Sequence, residues 1–149
     1  AGRLEDAAEC FTLSLELLKG HDKKFSAIVL SNLGVVYDKL GQSDKAADTY
    51  RRAMKIDPTD PEGHLRLGRT LMDQKKTEEG FKMFEKAVAL FPNNAQVLLS
   101  YGLQLQIHAR YAEAIAAYEK VTTLNPADPG PHTQLAIIYS AQTKSPRSV

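Results

Sequence analysis

Tryptophan is missing from this chain of 149 residues, and cysteine occurs once, at Cys10. A single thiol excludes an internal disulfide framework and any cysteine-based metal cluster. Long apolar runs are missing too: the most continuous stretches, such as Ala27-Ile28-Val29-Leu30, are far too short to cross a bilayer. Neither sign of charge is in excess, since 19 Lys and Arg stand against 18 Asp and Glu for a net of +1. No basic stripe or polybasic segment stands out, so we expect neither nucleic acid nor a membrane as a partner. The chain starts at Ala1 without a methionine or a charged-then-apolar leader, and we expect it to be a fragment of something longer.

What is present is ordinary in amount and unusual in arrangement. Hydrophobic residues make up 43% and charged residues 25%, enough for one folded domain with a sizeable core. Gly34, Gly68 and Gly102 recur every 34 residues, and Ala136 falls 34 further on. Pro58, Pro92 and Pro126 keep that interval, as do Tyr50, Phe84 and Tyr118, and Leu33, Leu67 and Tyr101. Self-similarity in four columns at one period marks a repeat protein.

Inside one period the pattern is helical. Leu30, Leu33, Gly34 and Tyr37 share one face of a helix, and Ala46, Tyr50 and Ala53 share one face of a second. Leu40-Gly41-Gln42-Ser43 reads as the turn between them, with Gly41 as a left-handed cap and Ser43 as the next N-cap. Asp60 then caps a new helix with Pro61 at its first position, and Asp128-Pro129 repeats the device. With the glycine column numbered as position 8, complete repeats cover 27–60, 61–94 and 95–128.

The series Leu30-x-x-Leu33-Gly34-x-x-Tyr37, Ala46-x-x-x-Tyr50-x-x-Ala53 and Pro58 resembles the tetratricopeptide repeat family. The second unit matches with His64, Leu67, Gly68, Leu71, Gly80, Phe84, Ala87 and Pro92. The third matches with Leu98, Tyr101, Gly102, Leu105, Ala114, Tyr118, Val121 and Pro126. The array would run over 1–141. A partial repeat at 2–26 carries about five extra residues near Asp22 to Ser26, a lengthened junction. A second partial repeat covers 129–141, and a polar tail at 142–149 reads as disordered. The resemblance implies an all-α, right-handed superhelical solenoid of antiparallel helix pairs. It also implies the cytoplasm as the default compartment, although no targeting signal is read in the chain itself.

Small residues at position 8 and at position 20 (Ala46, Gly80, Ala114) would let paired helices approach closely. The middle repeat looks weakest by this reading. Gly80 should cost about 1 kcal/mol against Ala in a helix, Lys75 replaces the turn glycine, and Leu71 replaces an aromatic, so 61–94 is expected to open first.

The resemblance also implies an inner face made by the first helix of each repeat, and there a protein or peptide partner would lie. Its candidate lining is Ser31, Val35, Asp38, Leu65, Arg66, Arg69, Asp73, Leu99, Leu103, Gln106 and Thr133. Ile107 and Ile137 lie in the same columns. Val35, Leu65, Leu99, Leu103 and Ile137 would form an apolar stripe, with Asp38, Arg66, Arg69 and Asp73 as rim charges. The same leucines have a second use open to them, packing sideways between neighbouring first helices. Members of the family that grip chaperone tails need Lys at position 5 and Asn at position 9. This chain has Ser31 and Val35 there, and one frame earlier Glu62 stands where Lys is required, so that ligand is not expected.

Nothing points to catalysis, a metal or a cofactor. His21, His64, His108 and His132 never fall at the i, i+4 spacing of a zinc helix. Glu78-Glu79 and Glu5-Asp6 open second helices, where the helix dipole accounts for them. Cys10 lacks an activating base and reads as a small packing residue. Ser145-Pro146 is a minimal proline-directed phosphorylation site. The leading reading is therefore an interaction scaffold. Two others stay open: a structural or self-associating segment joined through uncapped ends, and a substrate-recruiting part of a larger enzyme.

Overall fold

The computed structural model describes residues 2–144. Among the described residues there are eight helices and no strand: α1 (Arg3–Leu18), α2 (Lys23–Lys39), α3 (Ser43–Ile56), α4 (Pro61–Asp73), α5 (Thr77–Leu90), α6 (Ala95–Ile107), α7 (Tyr111–Leu124) and α8 (Pro129–Lys144). The fold is an all-α helical repeat. The residues fall into two compact units, one ending at Ala87 and the other beginning at Val88. In the first unit α1 packs on α2, α2 on α3 and α3 on α4; in the second, α6 packs on α7 and α7 on α8.

The helices start and stop for the local reasons the sequence offers. Asp60, Asn94 and Asp128 accept from backbone N–H groups at the starts of α4, α6 and α8, those of Glu62, Val97 and Gly130. Gly41 closes α2 at φ +73°, with the N–H of Gln42 donating to the carbonyl of Tyr37 at 2.8 Å. Lys75 (φ +63°) and Ala109 (φ +59°) hold the same left-handed turn position without glycine's freedom. Ser43 is not a cap: it is the first residue of α3, and Gln42 precedes it without a side-chain capping bond.

The repeat columns form the core. A Cβ added to Gly34 would sit 2.5 Å from the Tyr50 ring, and one added to Gly68 would sit 2.9 Å from Phe84. In the second unit the same holds for Gly102 and Tyr118, at 2.8 Å. All three aromatic rings are buried. The first-unit core also gathers Ala46, Ala47, Leu67 and Leu71, with Val35 and Tyr37 packed against it.

Two expectations change. The five residues added near Asp22 to Ser26 do not lengthen the junction. The loop 19–22 is as long as loops 57–60, 91–94 and 125–128, and the extra residues extend α1 by one position and α2 by four at its start. Gln142, Thr143 and Lys144, expected in a disordered tail, continue α8, while Ser145-Pro146 lies outside the described residues. α4 buries eight of its thirteen residues, whereas α1 buries none. Gly80 is there because its neighbours are close: a Cβ would meet Met72 Sδ at 2.9 Å and the Gly68 carbonyl oxygen at 3.1 Å.

Candidate functional site

Each unit presents its own share of the first-helix columns. In the first unit Ser31, Val35 and Asp38 on α2 are half-buried, and Arg69 and Asp73 on α4 are exposed. Leu65 is not a lining residue: it is 0% exposed and belongs to the core, the sideways-packing use of a leucine in this column.

Asp38 is not a free rim charge either. Its carboxylate accepts from the Tyr50 hydroxyl at 2.8 Å and from the Thr70 hydroxyl at 3.1 Å, which fastens α2 to α3 and α4. Thr70 also bonds to the Arg66 carbonyl. Burial and the adjacent Asp38 carboxylate together push the Tyr50 hydroxyl well above the usual tyrosine range. In the second unit Gln106 takes the place of Asp38 and accepts from the Tyr118 hydroxyl at 2.9 Å. Burial pushes Tyr118 up to about 12. In the remaining repeat the aromatic is Phe84, which has no hydroxyl, and position 12 is Met72. The polar partner appears only where a phenol needs one.

Three charges of α4 are tied to one another. Glu62 pairs with Arg66 at 2.9 Å and with Arg69 at 3.4 Å. The carboxylate therefore sits between both guanidinium groups and competes with any anionic ligand for them.

The second unit differs. On α6, Leu99 is half-buried, Leu103 is 44% exposed and Ile107 is 63% exposed. On α8, Ile137 is 48% exposed in the Leu103 column, and Thr133 is exposed with its hydroxyl bonded to the Pro129 carbonyl. These are the columns α4 fills with Leu65, Arg69 and Asp73. Each unit thus holds part of the expected lining, polar and self-paired in the first, apolar and open in the second. Of the expected residues, Val35 and Leu65 serve packing, and Asp38 and Gln106 serve as internal hydrogen-bond acceptors.

Among the described residues no group of three or more potential metal ligands comes together. His64 is buried with Nδ1 3.2 Å from the Asp60 carbonyl, a capping contact. Cys10 is exposed on α1, not packed as expected. No described helix is long and apolar enough to cross a membrane.

Three family models, each described as tetratricopeptide repeat, match residues 1–59, 39–100 and 97–128. The human protein O-mannosyl-transferase TMTC1 is 32% identical over 98 residues, covering 63% of this chain and 11% of that protein. The type IV pilus assembly protein PilF of Pseudomonas aeruginosa is 34% identical over 99 residues, covering 64% of this chain and 37% of PilF. The chain thus spans well under half the length of either relative. Among solved structures, the first TPR of Spaghetti (RPAP3), bound to the HSP90 peptide SRMEEVD, superposes with a TM-score of 0.67 at 27% identity, over 79% of this chain and 94% of that one. MamA superposes with a TM-score of 0.72 at 21% identity, over 94% of this chain and 79% of its own, a likeness of fold alone. The 34-residue columns, the glycine–aromatic packing and these matches agree: the chain belongs to the tetratricopeptide repeat family.

Proposed function

We propose that this chain is a protein-interaction module, and that α6 and α8 of its second unit receive the apolar side of an extended or helical segment of a partner. The observation that carries this reading is the exposure of Leu103 and Ile107 in columns where α4 carries Arg69 and Asp73. An apolar side chain held half out of the surface gains by covering, about 25 cal/mol for each Å² removed from water. Leu99 supplies a half-buried floor beside them, and Gln106 and Thr133 supply a polar edge. The family generally mediates protein–protein contact, and one structural neighbour holds a peptide. Arg66 and Arg69 contribute less, because Glu62 already engages them.

A phage-displayed peptide library selected on the chain tests this. Selected peptides should bind the Leu103→Asp variant at least about tenfold more weakly, the loss expected when a central apolar contact is replaced by a charge. Unchanged affinity in a folded variant removes the reading. A second reading, self-association, is favoured by α1, where Leu13 is 54% and Leu17 is 73% exposed. Sedimentation velocity across a concentration range separates the two.

A further inference from the structure

The added helical turn of α2 carries Lys23 to the edge of a hollow. Inside the first unit, the start of α2, the end of α1 and the end of α3 enclose a hollow of about 380 Å³. That is within the range of small ligand sites. Leu15, Leu30 and Ile56 give it an apolar base, and Lys23, Arg52 and Lys55 supply three cations. The side chains of these cations have no ion-pair or hydrogen-bond partner among the described residues.

Column by column, the junction has moved toward positive charge. Ser26 occupies the position that Asp60, Asn94 and Asp128 hold as caps elsewhere, and its hydroxyl is turned to the Asp22 carbonyl. Lys55 stands where the later repeats have Ala89 and Thr123. The carboxylates of the adjoining turns are engaged: Asp22 accepts from the Phe25 N–H, and Asp57 accepts from the Thr59 N–H and hydroxyl. Glu16 shares a neighbouring hollow with Arg52 but forms no ion pair with it.

We propose that this notch binds a short acidic peptide segment, its carboxylates on Lys23, Arg52 and Lys55 and one apolar side chain against Leu15 and Ile56. Charge complementarity selects an anion, and the recessed base selects a side chain. A lipid surface fits less well, because the cations and the apolar side chains line a recess between three helices, which a flat bilayer does not enter. The site is separate from α6 and α8, so its failure and that of the interaction surface proposed there can be told apart.

The test uses the isotopically labelled chain, titrated with a blocked peptide of four glutamates around one leucine. Amide shifts should concentrate at Gly20, Lys23, Ser26 and Ile56. The double variant Arg52→Ala/Lys55→Ala should bind about tenfold more weakly, the sum expected of two exposed charge contacts. Lys120→Ala, at the Arg52 column of the second unit, should bind as the parent does. Arg52 and Lys55 are exposed, so the fold should persist; Lys55→Ala alone is the fallback if thermal melting shows otherwise. Shifts centred elsewhere, equal affinity in a folded variant, or binding of phosphatidylserine vesicles without binding of the peptide would overturn the proposal.

Discussion

α4 in the first unit and α6 in the second are the first helices of successive repeats, thirteen residues each, and they meet the solvent in opposite ways. Positions 5, 9 and 13 read Leu65, Arg69 and Asp73 in one and Leu99, Leu103 and Ile107 in the other. The leucine of α4 is wholly buried and its charges face water, while α6 leaves Leu103 and Ile107 open. Yet the columns that hold each hairpin together, glycine against aromatic, are kept in both units. Packing is written in one set of columns and recognition in another, so repeats can share a fold and differ in what they touch.

That division can be broken most forcefully through the glycines. Gly34→Val and Gly102→Val should each cost about 3 kcal/mol in urea unfolding, because the new side chain must displace a buried tyrosine ring. If Gly102→Val were tolerated, the two units would not share one packing rule. The leucines come next. Leu65→Ala should cost about 3 kcal/mol as a cavity in the core, and Leu103→Ala no more than about 0.5 kcal/mol. Equal losses would mean that Leu103 is structural and that α6 offers no free surface.

The phenols give the smallest difference. Tyr50→Phe removes a donor from the charged Asp38 and should cost about 2 kcal/mol, while Tyr118→Phe removes one from the neutral Gln106 and should cost about 1 kcal/mol. Alkali sharpens this contrast. Both phenols ionise later when folded than in the unfolded chain, where the usual value is about 10. Their neutral forms are therefore favoured by folding. The contribution is whole below about pH 10 and fades as pH rises, for Tyr118 through about 12. Denaturant midpoints measured from pH 9 upward should fall less steeply in the Phe variants than in the parent.

Much of the fold was legible because its causes are local or periodic. Gly41, Asp60-Pro61 and the 34-residue columns announce themselves within a few residues or by repetition. The site was less legible because exposure is decided at a distance. Nothing near Asp38 in the chain shows that Thr70, 32 residues on, will bond to it. Leu65 and Leu99 carry the same side chain at the same position of equivalent helices, yet one is buried and the other half-buried, and only the surrounding atoms distinguish them. Ile107 was visible in its column, but its openness was not. Helix propensity marks Gly80 as a cost and does not show the Gly68 carbonyl that it lies against.

The extra turn of α2 has a bearing on how such arrays change length. Seventeen residues in α2 against thirteen in α4 is a gain of four, about 6 Å of overhang and roughly 40° beyond one full revolution. The chain therefore enters α2 from nearly the same side as it enters α4. A gain of two residues would have brought it in from the far side. Growth by whole turns leaves the stacking phase intact, so a solenoid can acquire a ledge at one end of a helix while every later repeat keeps its place.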